Sequence, residues 1–135
     1  MSCWLLKTEP EDYSFTDLER DGRTVWDGVA NNQALIHLRN ARPGDEALIY
    51  HTGDERSAVG LARVVSEPYP DPRSDDPRLA VFDVEVGRRL PRPVTLAEIK
   101  ADPAFAGFDL VRNSRLSAMP VPPELWRLLL ARAGL

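Results

Sequence analysis

Twelve prolines, nearly twice the usual share of about 5%, cut this 135-residue chain into short pieces. They cluster at Pro68 to Pro77, Pro91 to Pro93 and Pro120 to Pro123. Proline lacks the amide donor that a helix interior or a central strand requires, so long helices are excluded and short elements joined by loops are expected. The length suits one compact domain spanning residues 1–135, with no linker and no internal repeat.

Between the prolines the apolar pattern changes period repeatedly. Cys3-Trp4-Leu5-Leu6-Lys7 is an apolar run closed by Thr8-Glu9-Pro10, and its length predicts a buried first strand. Ser14 followed by Asp17 forms a capping arrangement for a short helix ending near Gly22. After Asn31 and Asn32, either of which can cap, Ala34, Leu35 and Leu38 recur at helical spacing. Pro43-Gly44-Asp45 forces a turn, and the apolar runs Ala47 to His51 and Ala58 to Val65 read as a hairpin around Thr52-Gly53-Asp54-Glu55-Arg56. Pro68 to Pro77 is too rich in proline and aspartate for regular structure, whereas Phe82, Val84 and Val86 alternate with Asp83 and Glu85 as a half-buried strand requires.

Further on, Thr95 and Glu98 form a capping box for a helix that stops near Asp102-Pro103. Leu116 to Val121 is the expected closing strand. Pro123 then opens a helix over Glu124 to Ala133, with Leu125, Leu128 and Leu129 as its buried stripe. Short strands interrupted by helices without βαβ alternation predict an α+β fold, a small β-barrel or curled mixed sheet decorated with short helices.

Charge and cysteine content narrow the function. Seventeen Lys and Arg against 21 Asp and Glu leave a net charge of -4, so the chain is not one that coats duplex DNA by general phosphate neutralisation. Any nucleic-acid contact must be local. The single Cys3 cannot form an internal disulfide and sits in an apolar run, which predicts a buried, inert thiol. No Cys/His cluster has metal-ligand spacing, so neither a metal nor another cofactor is expected. No apolar run approaches the ~20 residues of a membrane span, and Met1 to Pro10 lacks the pattern of a signal peptide. A cytoplasmic location is expected.

Walker, Gly-x-Gly-x-x-Gly, Gly-x-Ser-x-Gly and His-Glu-x-x-His signatures are absent. The aromatics say more: Trp4, Trp26, Tyr50 and Tyr69 fall at or beside predicted strand ends or loops, next to Lys7, Asp27, Asn31 and Thr52. Flat π surfaces stack on a base at about 1–3 kcal/mol each, while amide, hydroxyl and carboxylate groups read its edge. Core packing is the simpler account of any one tryptophan taken alone, and the residues together leave both readings open. His51 at a strand end is open in the same way, as a ligand donor or a satisfied core histidine, while His37 reads as solvated.

Residues 1–72 carry 7 Lys and Arg against 13 Asp and Glu, and residues 73–135 carry 10 against 8. Arg88, Arg89, Arg92, Arg112 and Arg115 make the second half locally basic, a pattern suited to phosphate contact. Because 15 of the 17 cations are Arg, coding bias and a solvated face account for it as well.

Trp4-Leu5-Leu6-Lys7-Thr8-Glu9-Pro10, Tyr13-Ser14 and Trp26-Asp27-Gly28-Val29 closely resemble the EVE domain family. Later landmarks agree along nearly the whole chain: Gln33-Ala34, Leu38-Arg39, Pro43-Gly44-Asp45, Tyr50-His51, Val59-Gly60, Tyr69-Pro70-Asp71-Pro72 and Arg115-Leu116-Ser117 before Pro120-Val121. The resemblance implies a PUA-like fold, kinship with YTH readers of methylated adenine, and recognition of 5-methylcytosine or 5-hydroxymethylcytosine in DNA by a pocket that takes up a flipped base. It implies binding without chemistry. Trp26 would be the stacking wall, Asp27 and Asn31 its polar neighbours, and Gly28 and Val29 part of the same run. Tyr50, His51 and Thr52 would line the mouth, with Trp4, Lys7, Ser117 and Tyr69 contributing, and Arg88, Arg89, Arg112 and Arg115 would meet phosphate.

The chain departs from the family's pattern at two places: Ala30-Asn31-Asn32 stands where Arg-Asn-Tyr is usual, and Met119 where relatives often carry glutamine. A modified RNA or a free nucleoside is the alternative ligand. Base processing with Asp27 or Glu9 as acid or base beside His51, and an interaction module serving proteins from neighbouring genes, are the remaining readings.

Overall fold

The computed structural model describes all residues 1–135. Its strands are β1 (Cys3–Thr8), β2 (Arg23–Trp26), β3 (Glu46–His51), β4 (Ser57–Val64), β5 (Tyr69–Pro70), β6 (Ala80–Thr95) and β7 (Ala118–Pro120). The helices are α1 (Phe15–Asp21), α2 (Asn32–Leu38), α3 (Leu96–Ala101), α4 (Asp109–Arg112) and α5 (Pro123–Arg132), with a 3-10 turn at Pro103–Phe105. Six strands run in the order β2-β6-β4-β3-β1-β7, and β5 pairs with β6 off this path. β1 and β3 are parallel, and the other pairs are antiparallel. The result is an α+β fold, a curled mixed half-barrel with short helices around it.

Caps start the helices where the sequence placed them. The Ser14 hydroxyl accepts from the Asp17 amide while the Asp17 carboxylate accepts from the Ser14 amide, a complete capping box. Asn31 caps α2 by accepting from the Ala34 amide at 3.1 Å, and Thr95 caps α3 by accepting from the Glu98 amide. The hairpin pairs Tyr50 with Ala58 and His51 with Ser57.

Four expectations are corrected and one strand is unforeseen: within the Pro68 to Pro77 stretch, expected to lack regular structure, Tyr69 and Pro70 pair with Val81 and Ala80 as the short strand β5. β2 is a strand that its four residues do not announce. β6 runs straight through Pro91 and Pro93, because β2 pairs it only from Phe82 to Glu85 and the β4 register shifts between Arg89 and Val94. Both prolines are exposed there, so the missing donors interrupt no two-sided ladder. In α5 the buried residues are Trp126 and Leu129, while Leu128 is 39% exposed. Cys3 is half-buried instead of sealed, with its thiol pushed up first by desolvation and then by Glu46 and Asp45.

One contiguous core joins Leu5 and Leu6 of β1, Phe15 and Leu18 of α1, Leu48 and Ile49 of β3, Phe82 of β6, Phe105 and Met119. Met119, one of the two departures from the expected pattern, is fully buried opposite Leu5 and packs the interior. At the start of β1 the buried Asp45 carboxylate accepts from the Trp4 indole N–H at 2.9 Å and from the Ser2 and Arg42 amides. No helix is long and apolar enough to cross a membrane.

Candidate functional site

β1 and β2 both point their C-terminal ends at one cleft of about 750 Å³. Lys7 and Thr8 come from the end of β1 and Glu9 from the residue after it, while Thr24 to Trp26 belong to β2 and Asp27 and Gly28 to the turn beyond it. Asp12 and Tyr13 come from the turn before α1, and Pro72 and Arg73 from the loop after β5. Gly28 turns the chain out of β2 at φ +82°, with open space where a Cβ would stand. Trp26 is only 5% exposed, yet it is one of the residues lining this cleft, so it forms part of a wall and not a free-standing shelf. Tyr13 meets it edge-on, with ring centroids 6.5 Å apart and planes at 87°, the favoured T-shaped contact.

Apart from Val25, Gly28 and Pro72, the remaining lining is polar, and much of it is held in place. The Thr8 hydroxyl donates to the Tyr13 carbonyl at 2.7 Å, and the Tyr13 phenol donates to Asp21 at 2.8 Å. Glu9 accepts from the Thr52 hydroxyl at 3.0 Å and packs so closely on Gly53 that a Cβ there would stand 2.7 Å from its carboxylate. Lys7 donates to the Ser114 carbonyl at 3.2 Å and lies 5.9 Å from the Tyr50 ring centroid. Desolvation pushes its ammonium down from the ordinary lysine value. Asp27 is paired with the Arg73 guanidinium. Three carboxylates and two cations therefore face the cavity, a lining rich in hydrogen-bond acceptors.

Of the expected site residues, Trp26, Asp27, Gly28 and Lys7 line this cleft. Several others form the layer behind it. Tyr50 is buried beneath Lys7, and Thr52 holds Glu9. The buried His51 accepts at Nε2 from the Phe15 amide and turns Nδ1 to Glu55, so both ring nitrogens are committed. Val29 is buried behind the β2 turn, and Ser117 pairs its carbonyl with the Lys7 amide. The other positions lie apart from the cleft. Asn31 is exposed, and its side-chain carbonyl serves as the α2 cap. Trp4 lies in the core at the opposite end of β1, beside Asp45.

Tyr69 lines a separate groove of about 330 Å³ and donates its phenol to Asp83 at 2.7 Å. That bond pushes Tyr69 up to about 12 and holds Asp83 below the usual carboxylate range, with Arg23 assisting. A folded value above the ordinary 10.0 contributes stability that is complete below pH 10 and is lost as pH rises towards 12. Tyr69→Phe is expected to flatten part of that alkaline decline when melting temperature is followed by circular dichroism.

The arginines come from two places. Arg89 donates to Thr16 and Glu19 of α1 and lies 5.2 Å from the Phe15 ring, with the exposed Arg88 beside it. Arg112 and Arg115 are exposed and bracket Ser114, the residue that receives Lys7. Thr8, Asp12, Tyr13, Thr24, Val25, Pro72 and Arg73 line the cleft although the sequence does not single them out as site residues. Thr8 and Pro72 belong to quoted motifs, but nothing local marks Arg73.

The EVE domain model matches residues 2–132. Human thymocyte nuclear protein 1 is 33% identical over 157 aligned positions, covering 91% of this chain and 70% of that protein. A crystal structure of an Agrobacterium tumefaciens protein superimposes with a TM-score of 0.96 at 30% identity, covering 100% of this chain and 94% of that one. The human THYN1 protein, solved in complex with 5-methylcytosine-containing DNA, gives 0.90 at 32% identity and 98% coverage of both chains. The ASCH protein of Zymomonas mobilis shares the fold alone, with a TM-score of 0.63 at 12% identity over 96% of this chain and 94% of that one.

Proposed function

The chain belongs to the EVE domain family, and from that membership we propose that it is a binding module for a modified base in nucleic acid. The ligand is 5-methylcytosine or 5-hydroxymethylcytosine in DNA, and the cleft beside Trp26 is the receptor. The observation that carries this reading is a nearly buried tryptophan, Trp26, in the lining of a cavity of about 750 Å³ whose other residues mainly carry hydrogen-bonding side chains. It is supported by the relative of 32% identity that was solved with 5-methylcytosine-containing DNA.

The energetics favour a base and not a duplex surface as the object recognised. Extruding a base costs a few kcal/mol, least where it is already unpaired. Stacking contributes about 1–3 kcal/mol, and carboxylates such as Asp27 and Glu9 suit the N4 amino group of cytosine, which donates. With His51 committed at both nitrogens, the acid and base roles sketched for Asp27 and Glu9 lack their partner. The proposed role is binding without chemistry.

Fluorescence titration of single-stranded oligonucleotides carrying cytosine, 5-methylcytosine or 5-hydroxymethylcytosine at one position tests this. A buried methyl is worth about 0.8 kcal/mol, so a preference of about fourfold for 5-methylcytosine over cytosine is expected. Equal affinity for all three removes the base-specific claim. Repeating the series across salt separates carriers, since a free nucleoside gives no salt slope and a nucleic acid does.

A further inference from the structure

Resting on that reading of the cleft, we propose that Arg73 is a displaceable occupant: it holds Asp27 until an amino-bearing base replaces it, and it then contacts the phosphate beside that base. Residues 71–79 form a loop closed at its root, where the Asp71 amide donates to the Leu79 carbonyl at 3.1 Å. Beside that root the loop is tied to the α2 region, because Arg39 donates to the Arg78 carbonyl and Arg78 reaches Asn32 at 3.5 Å. Arg73 projects from this loop to Asp27 across the lining of the cleft.

Three features make the contact exchangeable. First, the side chains of Arg73 and Asp27 are 67% and 40% exposed, and an ion pair so open to water is cheap to break. Second, guanidinium and the exocyclic amino group of cytosine or adenine are both N–H donors, so one can take the other's place on an acceptor-only carboxylate. The O4 of thymine cannot, because it would set acceptor against acceptor. Third, of the two cations in the lining, Lys7 is already held by the Ser114 carbonyl and lies over the Tyr50 ring. Arg73 is the one left free to meet a phosphate at the mouth, where guanidinium binds bidentately.

The exchange predicts opposite signs for one substitution. Arg73→Gln is expected to bind the nucleoside 5-methyl-2′-deoxycytidine up to about fivefold more tightly, since no ion pair need be opened. The same variant is expected to bind a single-stranded oligonucleotide carrying one 5-methylcytosine several-fold more weakly. Its slope of log affinity against log salt should shrink by about 0.7, the value of one phosphate contact on a single strand. Asp27→Asn, whose amide can donate, is expected to lose the preference for that nucleoside over thymidine. If the parent protein binds the modified oligonucleotide selectively but Arg73→Gln moves both ligands the same way, or leaves the salt slope unchanged, the exchange is overturned and the reading of the cleft stands. If the parent protein binds neither ligand, that reading fails and the exchange fails with it.

Discussion

Gly60→Ala is expected to melt about 10 °C below the parent chain, and Gly60→Val to leave no stable fold at 37 °C. A Cβ at Gly60 would stand 2.2 to 2.5 Å from three atoms of the Phe15 ring, inside any real contact distance. The ring has nowhere to retreat. Phe15 is fully buried as the first residue of α1, His51 fixes its amide, and the Arg89 guanidinium lies near the ring. Forcing extra volume into such a site costs about 3 kcal/mol, which in a domain of this size is about 10 °C of melting temperature. Circular dichroism melts check the size of the effect. Its cause is checked by Phe15→Leu in the Gly60→Ala background, which should recover part of the loss although Phe15→Leu alone is destabilising. A double variant no better than the sum of the two singles would show that the ring is not what the new methyl strikes. Because Tyr13 stands two residues before Phe15, the same displacement would disturb the cleft wall.

How much of this could be read from the residues depended on the range of the interaction. Local signals told true. Ser14, Asn31 and Thr95 cap helices through contacts three residues away, and Gly53 turns the hairpin at φ +75°. β2 was hidden because Arg23-Thr24-Val25-Trp26 is too short for its alternation to stand out, although pairing with β6 is what sets Trp26 at the cleft. β6 was hidden for the opposite reason: Pro91 and Pro93 announce a break that an unpaired edge makes unnecessary. The site itself was half legible. Trp26 and Asp27 stand in a quoted motif, whereas Arg73 reaches Asp27 only through the fold. Tyr50, His51 and Thr52 were placed in the right neighbourhood but one layer too far forward, since strand alternation alone does not say which face a cavity occupies. Asn31 carried two signals, helix cap and polar neighbour of a base, and its side-chain carbonyl serves the cap.

The largest expected effect on binding belongs to Trp26, and it must be separated from an effect on folding. Trp26 is 5% exposed and stands opposite Phe82 where β2 pairs with β6, and its ring meets Tyr13 edge-on. Trp26→Ala would therefore cost about 3–5 kcal/mol of stability as well as the stacking term, and loss of binding by that variant alone would show little. Trp26→Leu and Trp26→Phe both keep an apolar side chain in the wall, and only the second keeps a π surface. With base stacking worth about 1–3 kcal/mol, Trp26→Leu should bind the 5-methylcytosine oligonucleotide at least about fivefold more weakly than Trp26→Phe. The two should melt within a few degrees of each other and show the same salt slope, because neither touches a phosphate. Titration below both melting temperatures decides the matter. Equal affinities for the two variants would make the indole a piece of the core whose nearness to the cavity has no consequence for the ligand.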